Sequence, residues 1–104
     1  MQKRQPYRNK KITDAAQGED CLAQFPGCRN ETATTVFCHL NEAWAGKGLG
    51  QKADDCLGFF GCSHCHDLYD RRTINAGFEM ELNDYLLRAV GRTIRRLIDK
   101  KVLK

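Results

Sequence analysis

Apolar positions recur every three or four residues at Leu82, Tyr85, Leu86, Ala89, Val90, Ile94, Leu97 and Ile98. That spacing predicts a long helix over residues 78–104, following a break at Asn75-Ala-Gly77. A shorter periodic stretch at Ile12, Ala15 and Ala16, with Asn9 as its cap and Gly18 as its stop, predicts a short N-terminal helix. Between them the pattern changes. Thr34-Thr-Val-Phe-Cys-His39-Leu40 is β-branched and aromatic and predicts a strand, and Cys56-Leu-Gly-Phe-Phe-Gly-Cys62 predicts a second strand antiparallel to it. Ser63 is placed to cap a helix through Asp67, Leu68, Tyr69 and Arg72. The order β, β, α between two flanking helices makes the chain α+β.

The intervening run Gly46-Lys-Gly-Leu-Gly50 lacks the preceding strand and following helix that a dinucleotide fingerprint requires, so it is a loop and no nucleotide cofactor is expected. Trp44 in that loop is either a core anchor or a platform for a base.

With 104 residues the chain allows one domain, and a domain this small gains much from a staple. Its 17 Lys and Arg against 13 Asp and Glu leave a mild net charge of +4, distributed toward both ends. Residues 1–8 carry Lys3, Arg4 and Arg8 around Pro6 and read as a flexible basic arm, either solubilising or phosphate-contacting. Along the final helix acids at Glu79, Glu81 and Asp84 give way to Arg88, Arg92, Arg95, Arg96, Lys100, Lys101 and Lys104. That polarity offsets the helix dipole, and its basic end also suits nucleic acid. No apolar run approaches the roughly 18 residues needed to span a bilayer, so no membrane partner and a cytoplasmic location are expected.

In a reducing cytoplasm six cysteines are metal ligands or buried thiols before they are disulfides. Cys21-x6-Cys28 and Cys62-x2-Cys65 have the arrangement of a tetrahedral zinc site, with Pro26 and Gly27 turning the first knuckle back on itself. Four thiolates fill zinc's coordination, which makes that site structural. Cys38 and Cys56 read as buried thiols, and His64 as an exposed side chain inside the second knuckle. His66 and Asp70 lie one helical turn apart and offer a nitrogen and a carboxylate to a hard divalent ion such as Mg²⁺ or Mn²⁺. His39, taken alone, is a hydrogen-bonded core histidine. Opposite that pair it is a candidate general base for phosphodiester hydrolysis, with Arg71, Arg72, Lys47 and Lys52 as candidate phosphate contacts.

The order Cys-x6-Cys, strand histidine, loop, strand, Cys-x2-Cys-His and a ligand four residues later resembles the zinc-stapled HNH nucleases of the His-Me finger (ββα-metal) superfamily. Within it the chain is most similar to small nucleases of lambdoid phages and prophages. The resemblance covers roughly Ile12 to Arg72 and is carried best by Cys62-Ser-His-Cys-His-Asp-Leu-Tyr-Asp-Arg-Arg72. It implies a zinc-stapled ββα core over residues 21–72, with His39 as the base, His66 and Asp70 as catalytic-metal ligands, and Cys21, Cys28, Cys62 and Cys65 as the staple. Two positions depart from the family pattern. Cys38 precedes the base where a metal-binding Asp or His is common, and Leu57 falls near the central Asn, with Asp54 or Asp55 as alternatives.

The function so implied is a metal-dependent endonuclease acting on DNA in phage or prophage DNA processing or recombination. The competing readings are a non-catalytic, zinc-stapled nucleic-acid-binding module and a protein-interaction adaptor. The apolar part of the last helix would suit a homodimer.

Overall fold

The computed structural model describes residues 7–40, 53–70 and 79–103, with side chains from Asn83 onward in the last segment. In chain order the elements are α1 (Lys10–Asp14), a 3-10 turn (Thr32–Thr34), β1 (Val36–His39), β2 (Gly58–Gly61), α2 (Ser63–Asp70) and α3 (Glu79–Asp99). Among the described residues no helix is long and apolar enough to cross a membrane.

Asn9 caps α1 as its side-chain oxygen accepts from the Lys11 N–H, and Gly18, at φ 75°, turns the chain away after the helix. Strands β1 and β2 pair antiparallel with Phe37 opposite Phe60, Cys38 opposite Phe59 and His39 opposite Gly58. Alternation sends Cys38 and Phe59 to one face, where they pack with Phe25, Tyr69, Leu86 and Ala89. Phe37 and Phe60 go to the other, against Ile12, Ala15, Ala16 and Leu97. Because both faces are covered, β2 is buried along its whole length and shows no polar alternation. Gly58 is required by close approach: a Cβ there would lie 2.3 Å from the Cys38 carbonyl oxygen.

The backbone of β2 is also satisfied from outside the sheet. The Phe60 carbonyl accepts from the Leu22 and Ala23 N–H groups, at 2.9 and 3.1 Å, which docks the first cysteine knuckle on the strand. The Phe60 N–H donates to the buried Thr93 hydroxyl of α3 at 3.0 Å.

Outside the cysteine knuckles, four features differ from the sequence expectation. Tyr7 and Arg8, placed in the basic arm, are hydrogen-bonded to the segment Ala53–Asp55, while residues 1–6 lie outside those described. Cys56 is exposed, because β2 starts at Gly58 and leaves it in the preceding turn. Ser63 is the first residue of α2, and the Cys62 carbonyl already accepts from the His66 N–H, so Cys62 holds the cap position.

The fourth is the end of α3, at Asp99. Lys101 adopts φ 62°, its N–H returns to the Ile98 carbonyl and that of Val102 to Leu97, a Schellman closure without glycine. Val102 then packs in the same cluster as Leu97, which compensates the left-handed residue.

The basic end of α3 is largely occupied internally. Arg96 meets Glu19 at 2.6 Å, Lys100 reaches Glu19 and the Ala15 carbonyl at 3.1 and 2.8 Å, and Arg92 donates to the Leu22 carbonyl at 3.0 Å. Hydrogen bonding from Arg96 holds the Glu19 carboxyl below the usual range, against its partial burial. Leu87, Ile94 and Ile98 remain exposed along α3.

Thr93→Val removes an acceptor at nearly constant shape and strands a buried N–H. It should cost about 1–3 kcal/mol in urea unfolding, whereas Thr93→Ser should cost clearly less.

Candidate functional site

Cys21, Cys28, Cys62 and Cys65 converge so that their sulfur atoms all lie within 4.8 Å of one another. Two come from the loop before the sheet and two from the start of α2. The first knuckle folds back through left-handed residues at Gln24, Gly27 and Asn30, with φ of 52°, 80° and 50°. Asn30 then locks it: its side-chain oxygen accepts from the Cys21 N–H at 2.7 Å and its own N–H donates to the Cys28 sulfur at 3.3 Å. His64, expected to be exposed, is half-buried because its Nε2 sits 2.9 Å from the Pro26 carbonyl, bridging one knuckle to the other.

The donor set fits zinc. Tetrahedral zinc with sulfur at about 2.3 Å requires sulfur–sulfur edges of about 3.8 Å, and Cys28 and Cys62 stand 3.8 Å apart. The thiols also favour a cation electrostatically. A hydrogen bond from Cys65 lowers the Cys21 thiol below its ordinary range, while the same bond pushes Cys65 up and burial pushes Cys28 up. Clustered thiols of this kind ionise most readily when a cation is bound among them.

A second group of side chains lines an open cleft of about 540 Å³ bounded by Arg8, Asp14, Val36, His39, Asp55 and His66, among others. His39 sits at the end of β1 with its side chain 18% exposed, its ring edge-on to Phe37 at a centroid distance of 5.1 Å. Its Nε2 lies 2.8 Å from Asp55 Oδ1. The other oxygen of Asp55 accepts from the Asn9 N–H at 2.7 Å, and Arg8 Nη1 stands 3.6 Å from Oδ1. Burial works against ionisation of Asp55, but the bonds to His39 and Asn9 and the charge of Arg8 prevail and hold its carboxyl below the usual range.

His66 and Asp70 share one face of α2, with Nε2 and Oδ2 3.5 Å apart and both side chains about half exposed. That spacing and exposure suit a shared divalent ion that keeps water ligands. His39 and His66 therefore reach one cleft from β1 and α2. Cys38, on the opposite face of β1, is buried, and burial pushes its thiol upward. Leu57 donates its N–H to the Asp54 carbonyl within the turn and carries no polar side chain to the cleft. Lys47, Lys52, Arg71, Arg72 and Trp44 lie outside the described residues.

The sequence offers Asp54 and Asp55 alike as alternatives at the central Asn position. The structure selects Asp55 as the partner of His39 and uses Asp54 Oδ1 to accept from the Tyr7 N–H at 3.1 Å. Arg8 and Asp14 were not anticipated at the cleft. No local pattern marks them, because they arrive from an N-terminal segment that packs beside the sheet.

A family model described as "Putative nuclease YbcO" matches residues 10–102. Two curated relatives, "Putative nuclease YbcO" of Escherichia coli (strain K12) and "Putative nuclease ybcO" of Enterobacteria phage 82, are each 37% identical over 73 residues, 67% of this chain and 75% of the relative. Among solved structures, "Structure of a putative bacteriophage protein from Escherichia coli str. K-12 substr. MG1655" is similar with a TM-score of 0.64 and 28% identity, covering 86% of this chain and 98% of that one.

Two outcomes follow from the site's physical chemistry. Stripping metal from the reduced protein with a strong chelator should lower Tm by more than about 10 °C, and zinc should restore it, since structural zinc contributes folding energy directly. Asp55 has a depressed folded pKa, so its contribution is complete above its unfolded value of about 4 and is lost as pH falls through the lower folded value. The Tm difference between wild type and Asp55→Asn should therefore narrow below about pH 4, as thermal melts across the acid range would show.

Proposed function

We propose that this chain, which belongs to the family described as "Putative nuclease YbcO", is a metal-dependent endonuclease of the HNH type that hydrolyses phosphodiester bonds in phage or prophage DNA. One observation carries the reading: an imidazole oriented by a carboxylate and a second imidazole paired with a carboxylate open from different elements into the same cleft.

Asp55 is ionised and can only accept, so the proton shared at 2.8 Å belongs to His39 Nε2. Nδ1 is then the basic nitrogen. It takes a proton from water as the water oxygen bonds to phosphorus, and the bond from phosphorus to the leaving oxygen breaks, with solvent protonating the departing group. Asp55 holds the imidazole in the correct tautomer and offsets the positive charge that His39 acquires. His66 and Asp70 would hold a Mg²⁺ or Mn²⁺ ion, which when bound supplies positive charge against the phosphate and the leaving oxygen. A zinc ion on Cys21, Cys28, Cys62 and Cys65 would have no open position, and its role is to hold α2 against the first knuckle.

The His39→Ala variant should keep its zinc and a cooperative melt, yet lose about 10²–10⁴-fold in the rate of Mg²⁺-dependent plasmid nicking. Undiminished nicking would remove His39 from its role. Failure of the wild type to cut duplex, branched or single-stranded DNA with either metal would favour the binding module instead.

A further inference from the structure

We infer that residues Tyr7–Asn9 form a positioning strap for the catalytic base, holding the Asp55 carboxylate so that its Oδ1 orients His39. The inference rests on the proposed role of His39, and its key residues precede the segment matched by the family model, which begins at residue 10.

The strap is fixed at each residue. Tyr7 donates its N–H to Asp54 Oδ1 at 3.1 Å and accepts from the Asp55 N–H at 2.9 Å. Arg8 Nη1 donates to the Ala53 carbonyl at 2.8 Å. Asn9 donates its N–H to Asp55 Oδ2 at 2.7 Å while its side chain caps α1, and its Nδ2 meets the Tyr7 hydroxyl at 2.9 Å. Asp54 and Asp55 are both buried, so the bonds that the strap provides are the compensation that permits two adjacent carboxylates in that turn.

The consequence for His39 is geometric. Oδ2 is committed to the Asn9 N–H, which fixes the rotation of the carboxylate and leaves Oδ1 aimed at His39 Nε2. Without the strap, Asp55 is an acid on a short turn that can rotate toward solvent, and the imidazole loses the partner that selects its tautomer. Among the described residues, the charged and titratable groups that line the cleft with His39 are Asp55 and Arg8 from the turn and strap, Asp14 from α1 and His66 from α2. Among them Asp55 has the hydrogen bond to His39.

The test compares the wild type with a protein lacking residues 2–8 and with Asp54→Ala, which loosens the strap without touching Asp55 or His39. For each, kcat and KM for plasmid nicking are measured alongside the ¹⁵N shifts of the His39 ring. Loosening the strap should lower kcat by at least about tenfold with KM within about threefold, because misplacement of the base acts on the chemical step. The ¹⁵N spectrum should change from a single Nε2–H tautomer to a mixture. Zinc content should remain at wild-type level.

A variant that keeps the single tautomer, or nicks at the wild-type kcat, overturns the inference, as does a rise in KM alone, which would make the strap a substrate contact. Should the truncated protein fail to fold, Asp54→Ala decides. Should the wild type prove inactive, the nuclease reading fails by itself, and the tautomer comparison still tests the strap.

Discussion

Four sulfur atoms within 4.8 Å of one another bring together two parts of the chain that are 34 residues apart at their nearest members, Cys28 and Cys62. The first knuckle has little regular structure, and α2 is an eight-residue helix, too short to persist on its own. Their mutual attachment fixes the axis of α2 and therefore where His66 and Asp70 point. Hydrogen bonds from Leu22 and Ala23 to the Phe60 carbonyl carry the same constraint into β2, whose partner strand bears His39. One cluster thus sets the relation between the two halves of the cleft.

Around that frame several buried and half-buried polar groups are paired across elements, while the buried Thr35 hydroxyl oxygen has no hydrogen-bond partner among the described residues. Glu19 draws in Arg96 and Lys100 from α3, Thr93 accepts from β2, and the carboxylates of the acidic turn before β2 are met by His39, Arg8 and two backbone N–H groups. Each pairing spans distant positions in sequence, so each restricts the packing of helices on a sheet that has two strands among the described residues. A charge left alone in such a small core would cost several kcal/mol, more than the fold could readily spare. The Asp55 carboxylate serves two ends: it closes the turn onto the N-terminal segment and it sets the proton on His39.

Much of this was legible in the sequence because it depends on local period or spacing. The three-and-four repeat located α3, the β-branched and aromatic runs located both strands, and the cysteine spacing picked out the four thiols that converge, together with the fold-back at Gly27. His66 and Asp70 followed from one turn of helix. What escaped depends on tertiary placement. Nothing local distinguishes Asp55 from Asp54, because the choice is made by an N–H at Asn9, some 46 residues away. The start of β2 at Gly58 moved Cys56 into solvent, and the closure of α3 uses Lys101 where glycine would have been the signal. Likewise the sequence leaves Arg92, Arg96 and Lys100 open to nucleic acid, whereas the fold sets Glu19 and two carbonyls beside them.

The most direct measurement is zinc-edge X-ray absorption on the freshly purified, reduced protein. A single shell of four sulfur atoms at about 2.3 Å is the expected result, since that geometry matches the spacing of Cys28 and Cys62. A shell containing nitrogen or oxygen in place of any sulfur, or a protein that carries no zinc, would contradict the claim that this cluster holds the two sides of the cleft together.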